Sequence, residues 1–269
     1  MVVPRLPGPF RFVGLVFLKS CVFFILLTFS TVLCLRWVTP PTSSFILQSR
    51  VADFFAGENG SKVYYQWVAW RDISPNVSIA VVAAEDQRFT EHWGFDLKSI
   101  SDAIRERQVK GRLRGASTIT QQVAKNLFLW SGRSWLRKGL EAYFTVLIEL
   151  SWSKRRILEI YLNNAQFGDH TFGIGAASRR FFLKPPSELT AHESALLAAV
   201  LPSPARMQPH RPSAYVLQRA SWVLRQMKAL GGPRYLRGLS ASIEGKFIIR
   251  DTLPLGGSGQ SEPAGIGVP

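Results

Sequence analysis

AAEDQRFTEHWGFD, Ala83 to Asp96, runs from small apolar residues straight into two adjacent acids, Glu85 and Asp86. The apolar run begins at Val77, and eight apolar or small residues precede Glu85. Ser74-Pro75 offers a cap and a first-turn proline, so a helix is predicted from there through Val82 to Glu85. A carboxylate leaving a buried helix is partly desolvated. Its pKa then rises toward the range a general base needs. The ordinary alternative is an ion pair of Glu85 or Asp86 with Arg88.

Outward from this stretch the pattern stays helical, and the fold class is predicted as mostly α. Thr118-x-x-Gln121 is a capping box opening a helix to Phe128. Trp135 to Trp152 and Lys154 to Ala165 read as two successive helices. Thr190-x-x-Glu193 is a second capping box, with its helix ending before Pro202. Tyr215 to Leu230 is a helix stopped by Gly231, Gly232 and Pro233. Upstream, Val38 to Ser44 reads as a linker. Phe45 to Phe55 has helical spacing and suits either a core helix or one lying on a membrane surface. GENGSKVYYQWVAW, Gly57 to Trp70, carries a turn signal followed by aromatics and reads as a small hairpin. The tail, Thr252 to Pro269, is rich in Gly, Ser and Pro and is expected to be disordered.

The N-terminus is a different kind of segment. An uncharged apolar run from Ser20 to Leu35 extends back to Phe12 if Lys19 snorkels. About 20 residues cross a bilayer core as a helix, so residues 12–35 form a candidate span. Arg5, Arg11 and Lys19 lie before or early in it, which favours a cytoplasmic N-terminus, residues 1–11, and a translocated remainder. No A-x-A cleavage pattern follows, so a retained anchor is expected rather than a signal peptide.

The 269 residues carry a net charge of +15, which suggests nucleic acid, anionic lipid or a phosphate-bearing substrate as partner. Both cysteines, Cys21 and Cys34, lie in the apolar N-terminal segment, so a disulfide framework or cysteine metal site is excluded downstream. The four histidines lack ligand spacing. No P-loop, H-E-x-x-H or G-x-S-x-G is present. GIGAAS, Gly173 to Ser178, lacks the third glycine and the preceding strand of a dinucleotide loop.

What remains is carboxylates, amides and cations. In GASTITQQVAKNLF, Gly115 to Phe128, Gln121, Gln122 and Lys125 fall within one helical turn. Gly115 and Ser117 precede the helix N-terminus, where free N–H groups favour an anion. In GRSWLRKGLEAYF, Gly132 to Phe144, Arg137 and Lys138 share a face with Glu141. That arrangement is either a surface salt bridge or a second carboxylate held among phosphate-binding cations. KRRILEIYLNNAQFG, Lys154 to Gly168, reads as a core helix of mainly structural role.

Taken in order, EDQRFTEHWGFD, GASTITQQVAKNLF, RKGLE and KRRILEIYLNNAQFG resemble the successive motifs of the peptidoglycan glycosyltransferases. The resemblance runs from about Ile73 to Leu230. It implies a lysozyme-like, mostly α domain over residues 73–240 and a linker and small membrane-associated lobe over 36–72, while the tail over 241–269 matches none of its motifs. No S-x-x-K follows the motifs, so a monofunctional polymerase without transpeptidase activity is expected. The implied substrates are lipid II and the growing glycan strand, at the periplasmic face of the bacterial inner membrane. Glu85 would be the general base on the acceptor 4-hydroxyl. Glu141, the second catalytic carboxylate, would hold the leaving pyrophosphate with Lys125, Arg133, Arg137 and Lys138. A divalent cation, Mg or Mn, is an optional helper there. Asp86, Ser117, Gln121 and Gln122 would line the substrate groove. Cell-wall synthesis or division proteins are candidate partners.

Two rivals remain at this level. A lysozyme-like hydrolase needs two carboxylates and a water, but neither phosphate-facing cations nor an anchor. A basic membrane scaffold that binds nucleic acid leaves the settings of Glu85 and Glu141 unexplained, so nucleic acid is not an expected partner.

Overall fold

The computed structural model describes residues 8–57, 62–110 and 117–239. Gly115 and the 241–269 tail lie outside them. Ten helices carry the described chain: α1 (Gly8–Cys34), α2 (Ser44–Ala56), α3 (Pro75–Glu85), α4 (Leu97–Lys110), α5 (Ile119–Phe128), α6 (Trp135–Ser151), α7 (Lys154–Asn164), α8 (Ile174–Phe182), α9 (Ala191–Val200) and α10 (Ala214–Ala229). The expected helices all form, with ends within a residue or so of the sequence reading except α1, which begins at Gly8 rather than Phe12, and α4 and α8 form besides.

Local chemistry starts these helices. Ser74 accepts the Asn76 N–H with Pro75 in the first turn, and Thr118 with Gln121, and Thr190 with Glu193, close reciprocal capping boxes. Ser43, Ser134, Ser153 and Ser213 cap α2, α6, α7 and α10. The α10 helix stops where Gly231 and Gly232 take positive φ.

The core centres on α3. Every residue from Val77 to Ala83 is buried, as an evenly apolar helix must be. It packs against α9 and α10 and the 3-10 segment Gly232–Leu239. On the other side, α5 packs on α6 and α7.

Among the described residues, the expected hairpin does not form. Tyr64–Tyr65 (β1) instead pairs in parallel with Thr171–Phe172 (β3), which runs antiparallel to Gln166–Gly168 (β2). An isolated two-stranded hairpin is marginal in water, and here a remote strand satisfies the backbone. The segment after β1 is held by α7. The Asn163 amide accepts from the Val68 N–H at 2.7 Å and donates to Val68 O at 2.9 Å, and Glu159 accepts the Trp70 N–H. A strand thus also precedes GIGAAS, contrary to expectation. Its glycines serve packing. A Cβ on Gly173 would lie 2.6 Å from Asn163 O, and one on Gly175 2.5 Å from Gln66 O.

Within α1, Phe12–Cys34 is long and apolar enough to cross a membrane, with a mean hydropathy of 2.4. Its C-terminal end is built into the domain. Thr28 shares a 2.7 Å hydrogen bond with Tyr143 of α6, Trp152 donates to Val32 O, and Arg156 donates to Leu35 O and Val38 O.

Candidate active site

The α3 helix ends by delivering Glu85 to a cleft of about 950 Å³. Asp86 breaks the helix at φ −160°, so the two acids point different ways. The Glu85 side chain is 16% exposed. Burial raises its pKa above the ordinary 4.5, against the Gln122 hydrogen bond and the charge of Arg219, which favour the anion. Gln122 donates its amide to Glu85 Oε2 at 2.9 Å. Tyr161 of α7, nearly fully buried, donates its hydroxyl to the Gln122 carbonyl. Burial pushes the Tyr161 phenol well up, so it stays a donor and fixes the Gln122 amide with NH₂ toward Glu85.

Asp86 turns inward. One oxygen accepts the Ile119 N–H at the start of α5 and the other meets His92 Nε2 at 2.9 Å. Both carboxylate oxygens are thereby occupied within the protein, though the residue still borders the cleft. Arg88 pairs with Glu91 and Asp96, so the ordinary Glu85–Arg88 ion pair does not form. Gly94, at φ 77°, closes this loop against α6. A Cβ there would sit 2.5 Å from the Thr145 methyl.

Ser117 and Gln122 line the cleft beside Glu85. Gln121 does not. It is buried, and its carbonyl accepts the Thr118 N–H in the capping box. Further along α5 lies a second cluster. The Glu141 side chain is 4% exposed and is paired with Arg137 and Lys138, the former at 3.0 Å. Lys125 lies within the field of both Glu141 and Glu85, and burial lowers its pKa. Arg133 is exposed on the loop before α6.

Two carboxylate groupings bear on a divalent cation. Asp86, His92 and Asp96 bring ligand atoms within 4.8 Å of one another. Their oxygens, however, are held by Ile119 N–H, His92, the Arg88 guanidinium and Ser99. Glu141 is likewise taken by two cations. A hard cation needs free oxygens, so neither grouping fits one as it stands.

Residues 52–228 match the family described as Transglycosylase. A biosynthetic peptidoglycan transglycosylase of Pseudomonas entomophila (strain L48) is 54% identical over 213 residues, 79% of this chain and 90% of the relative. This chain belongs to the transglycosylase family. Proteins of the same description from Pectobacterium carotovorum subsp. carotovorum (strain PC1) and Stutzerimonas stutzeri (strain A1501) are 51% and 48% identical. They cover 77% and 81% of this chain and 85% and 90% of their own length. The chain is therefore a peptidoglycan glycosyltransferase, with the lysozyme-like, mostly α domain that the motifs implied.

In this transglycosylase, α10 forms the cleft wall that the sequence did not reveal. Tyr215, Gln218, Arg219, Trp222 and Arg225 all line it. Arg219 reaches within 3.9 Å of Glu85 Oε1. Its place on an amphipathic helix gave no signal of this, because spacing shows a face and not what the face meets. Tyr161 was missed for the same reason, sitting in a helix read as structural.

The electrostatics set a pH dependence. If Glu85 must be ionised, kcat/KM falls as pH drops through a pKa above 4.5. Gln122→Ala and Arg219→Leu each remove a group that favours the anion. In both variants the acid limb of the pH–kcat/KM profile is expected to move to higher pH. A limb that stays in place in both would separate it from Glu85.

Proposed function

We propose that this transglycosylase transfers the growing lipid-linked glycan onto the 4-hydroxyl of lipid II. The carrying observation is a desolvated carboxylate at the end of α3 together with a cation-rich cluster whose Lys125 lies in the field of both Glu85 and Glu141. Glu85 takes the proton from the acceptor hydroxyl. The oxygen attacks the anomeric carbon of the donor, and undecaprenyl pyrophosphate leaves. The α-linked donor becomes a β-1,4 bond, with inversion.

Leaving-group charge is the main electrostatic demand, and pre-placed cations meet it without reorganisation. Lys125, Arg137 and Lys138 supply that charge, with Arg133 from the loop. Glu141 holds Arg137 and Lys138 in register on α6. Ser117 and Gln122 line the sugar path beside Glu85. Asp86 acts as a positioning residue, fastening the end of α3 to the start of α5.

Membrane placement follows the same reading. The α1 helix anchors the chain with residues 1–11 in the cytoplasm and the catalytic domain, residues 73–240, in the periplasm. The 36–72 lobe rests on the bilayer through Leu47, Val51, Phe54 and Phe55 of α2, all exposed, while Ile46 on the other side is buried in the protein. Trp130 and Trp135 are exposed near the cation cluster, as aromatic side chains at a lipid interface are.

Incubation of the detergent-purified enzyme with fluorescent lipid II tests the reaction. A ladder of lysozyme-sensitive polymer, with release of the lipid pyrophosphate, is expected. Cleavage of preformed glycan without polymer would overturn the reading in favour of a hydrolase.

A further inference from the structure

We propose that Phe45 of α2 is a positioning residue for Lys125, with Gln48 tethering α2 to the loop that leads to the cation cluster. The inference rests on the reading of Lys125 as a pyrophosphate-holding cation.

The side chains of α2 do two different things. Leu47, Val51, Phe54 and Phe55 point outward and are exposed. Phe45 and Gln48, both half-buried, reach α5 and its following loop. The Lys125 ammonium sits 5.5 Å from the centre of the Phe45 ring, within cation–π range. Gln48 donates to Leu129 O at 3.2 Å and accepts the Ser131 N–H at 2.9 Å. Among the described residues it is the one side chain hydrogen-bonded to that loop.

The half-buried Lys125 ammonium has no hydrogen-bonded carboxylate among the described residues. The charged groups around Lys125 are Glu141, Arg137 and Lys138 on α6 and Glu85 on α3. Both acids already have closer partners: Glu141 is paired with Arg137 and Lys138, and Glu85 is hydrogen-bonded to Gln122. The Phe45 face is the contact that holds the ammonium in place while favouring its charged form. Nothing in the spacing of FILQSRVADFF marks this, since Phe45 counts there as one more apolar position.

The test is a double-mutant cycle on lipid II polymerisation by the full-length protein. Lys125→Met should lower kcat/KM sharply. If it does not, the reading of Lys125 fails, and the Phe45 inference fails with it. In the wild-type background, Phe45→Leu keeps the apolar volume but loses the ring face, and is expected to lower kcat/KM about threefold to tenfold. Phe45→Trp should retain activity. In the Lys125→Met background, Phe45→Leu should have no further effect. Phe45→Leu should also move the alkaline limb of the pH–kcat/KM profile to lower pH, because the uncharged amine no longer loses a favourable contact. A Phe45→Leu loss that persists undiminished beside Lys125→Met, with the alkaline limb unmoved, would reduce Phe45 to ordinary packing.

Discussion

Glu85→Gln stops polymer formation, with a fall in kcat of about 10³-fold or more, while the protein stays folded. A positioned general base contributes on the order of 10² to 10⁴ in rate, and an amide cannot take a proton from a sugar hydroxyl. The fold survives because the substitution is nearly isosteric. The Gln122 NH₂ still finds a carbonyl oxygen where it found Glu85 Oε2. Stability should hold or rise, since the burial that raises the Glu85 pKa is a cost to the charged form. The sign of the linkage is definite. The folded pKa lies above the unfolded one, so this group stabilises the fold at pH below the unfolded value. That contribution is lost as pH rises through the folded value. In Glu85→Gln this part of the pH dependence disappears. Lipid II polymerisation and thermal melts, followed from below the ordinary glutamate value of 4.5 upward, measure both. A Gln variant retaining a tenth of wild-type turnover would remove Glu85 from the chemistry.

The second large effect is on stability. Lys154 and Glu149 form an ion pair at 2.7 Å with side chains 4% and 2% exposed. Thr120 donates to the same Glu149 oxygen at 2.6 Å, and the Lys154 ammonium lies 4.6 Å from the centre of the Phe89 ring. The pair joins α6 to the start of α7 beneath the loop that carries Arg88 to Asp96. Burial pulls the Lys154 pKa down and Glu149 pulls it up. Lys154→Met leaves a carboxylate in the core without its ammonium, and removing one partner of a buried pair costs about 3 to 5 kcal/mol. A drop in melting temperature on the order of 10 °C is expected for a domain of this size. Replacing both partners, Glu149→Leu with Lys154→Met, should recover much of that loss, because no buried charge is then left uncompensated. A Lys154→Met melt within 2 °C of wild type, roughly the effect of 1 kcal/mol or less, would mean that water or rearrangement relieves the charge.

The helices were legible because their causes are local. Ser74 with Pro75, and the Thr118 and Thr190 capping boxes, act within one turn of themselves. The even apolar run from Val77 to Ala84 permits only a buried helix, so a carboxylate at its end had to be partly desolvated. Arg137, Lys138 and Glu141 meet because three and four residues make one helical turn. What stayed hidden lies between elements. The resemblance gave Glu85 and Asp86 different roles, but spacing alone did not show where either side chain points. The break at φ −160° turns one to the cleft and the other onto the Ile119 N–H.

Gln121 and Gln122 are equally adjacent, yet one closes a cap and the other meets Glu85. The β1 strand found a remote parallel partner instead of a hairpin, because Asn163 and β3 present the unpaired groups it needs. The sequence by itself determined eight of the ten described helices, leaving out α4 and α8, that one acid ends a core helix, and that a cation-flanked carboxylate lies on another. Only the tertiary structure decided that α10 brings Arg219 to Glu85, that Tyr161 orients Gln122, and that α2 lays Phe45 over Lys125. Periodicity fixes the face a side chain occupies, whereas its partner is fixed by how whole helices pack, and that depends on the shapes of every surface in the core at once.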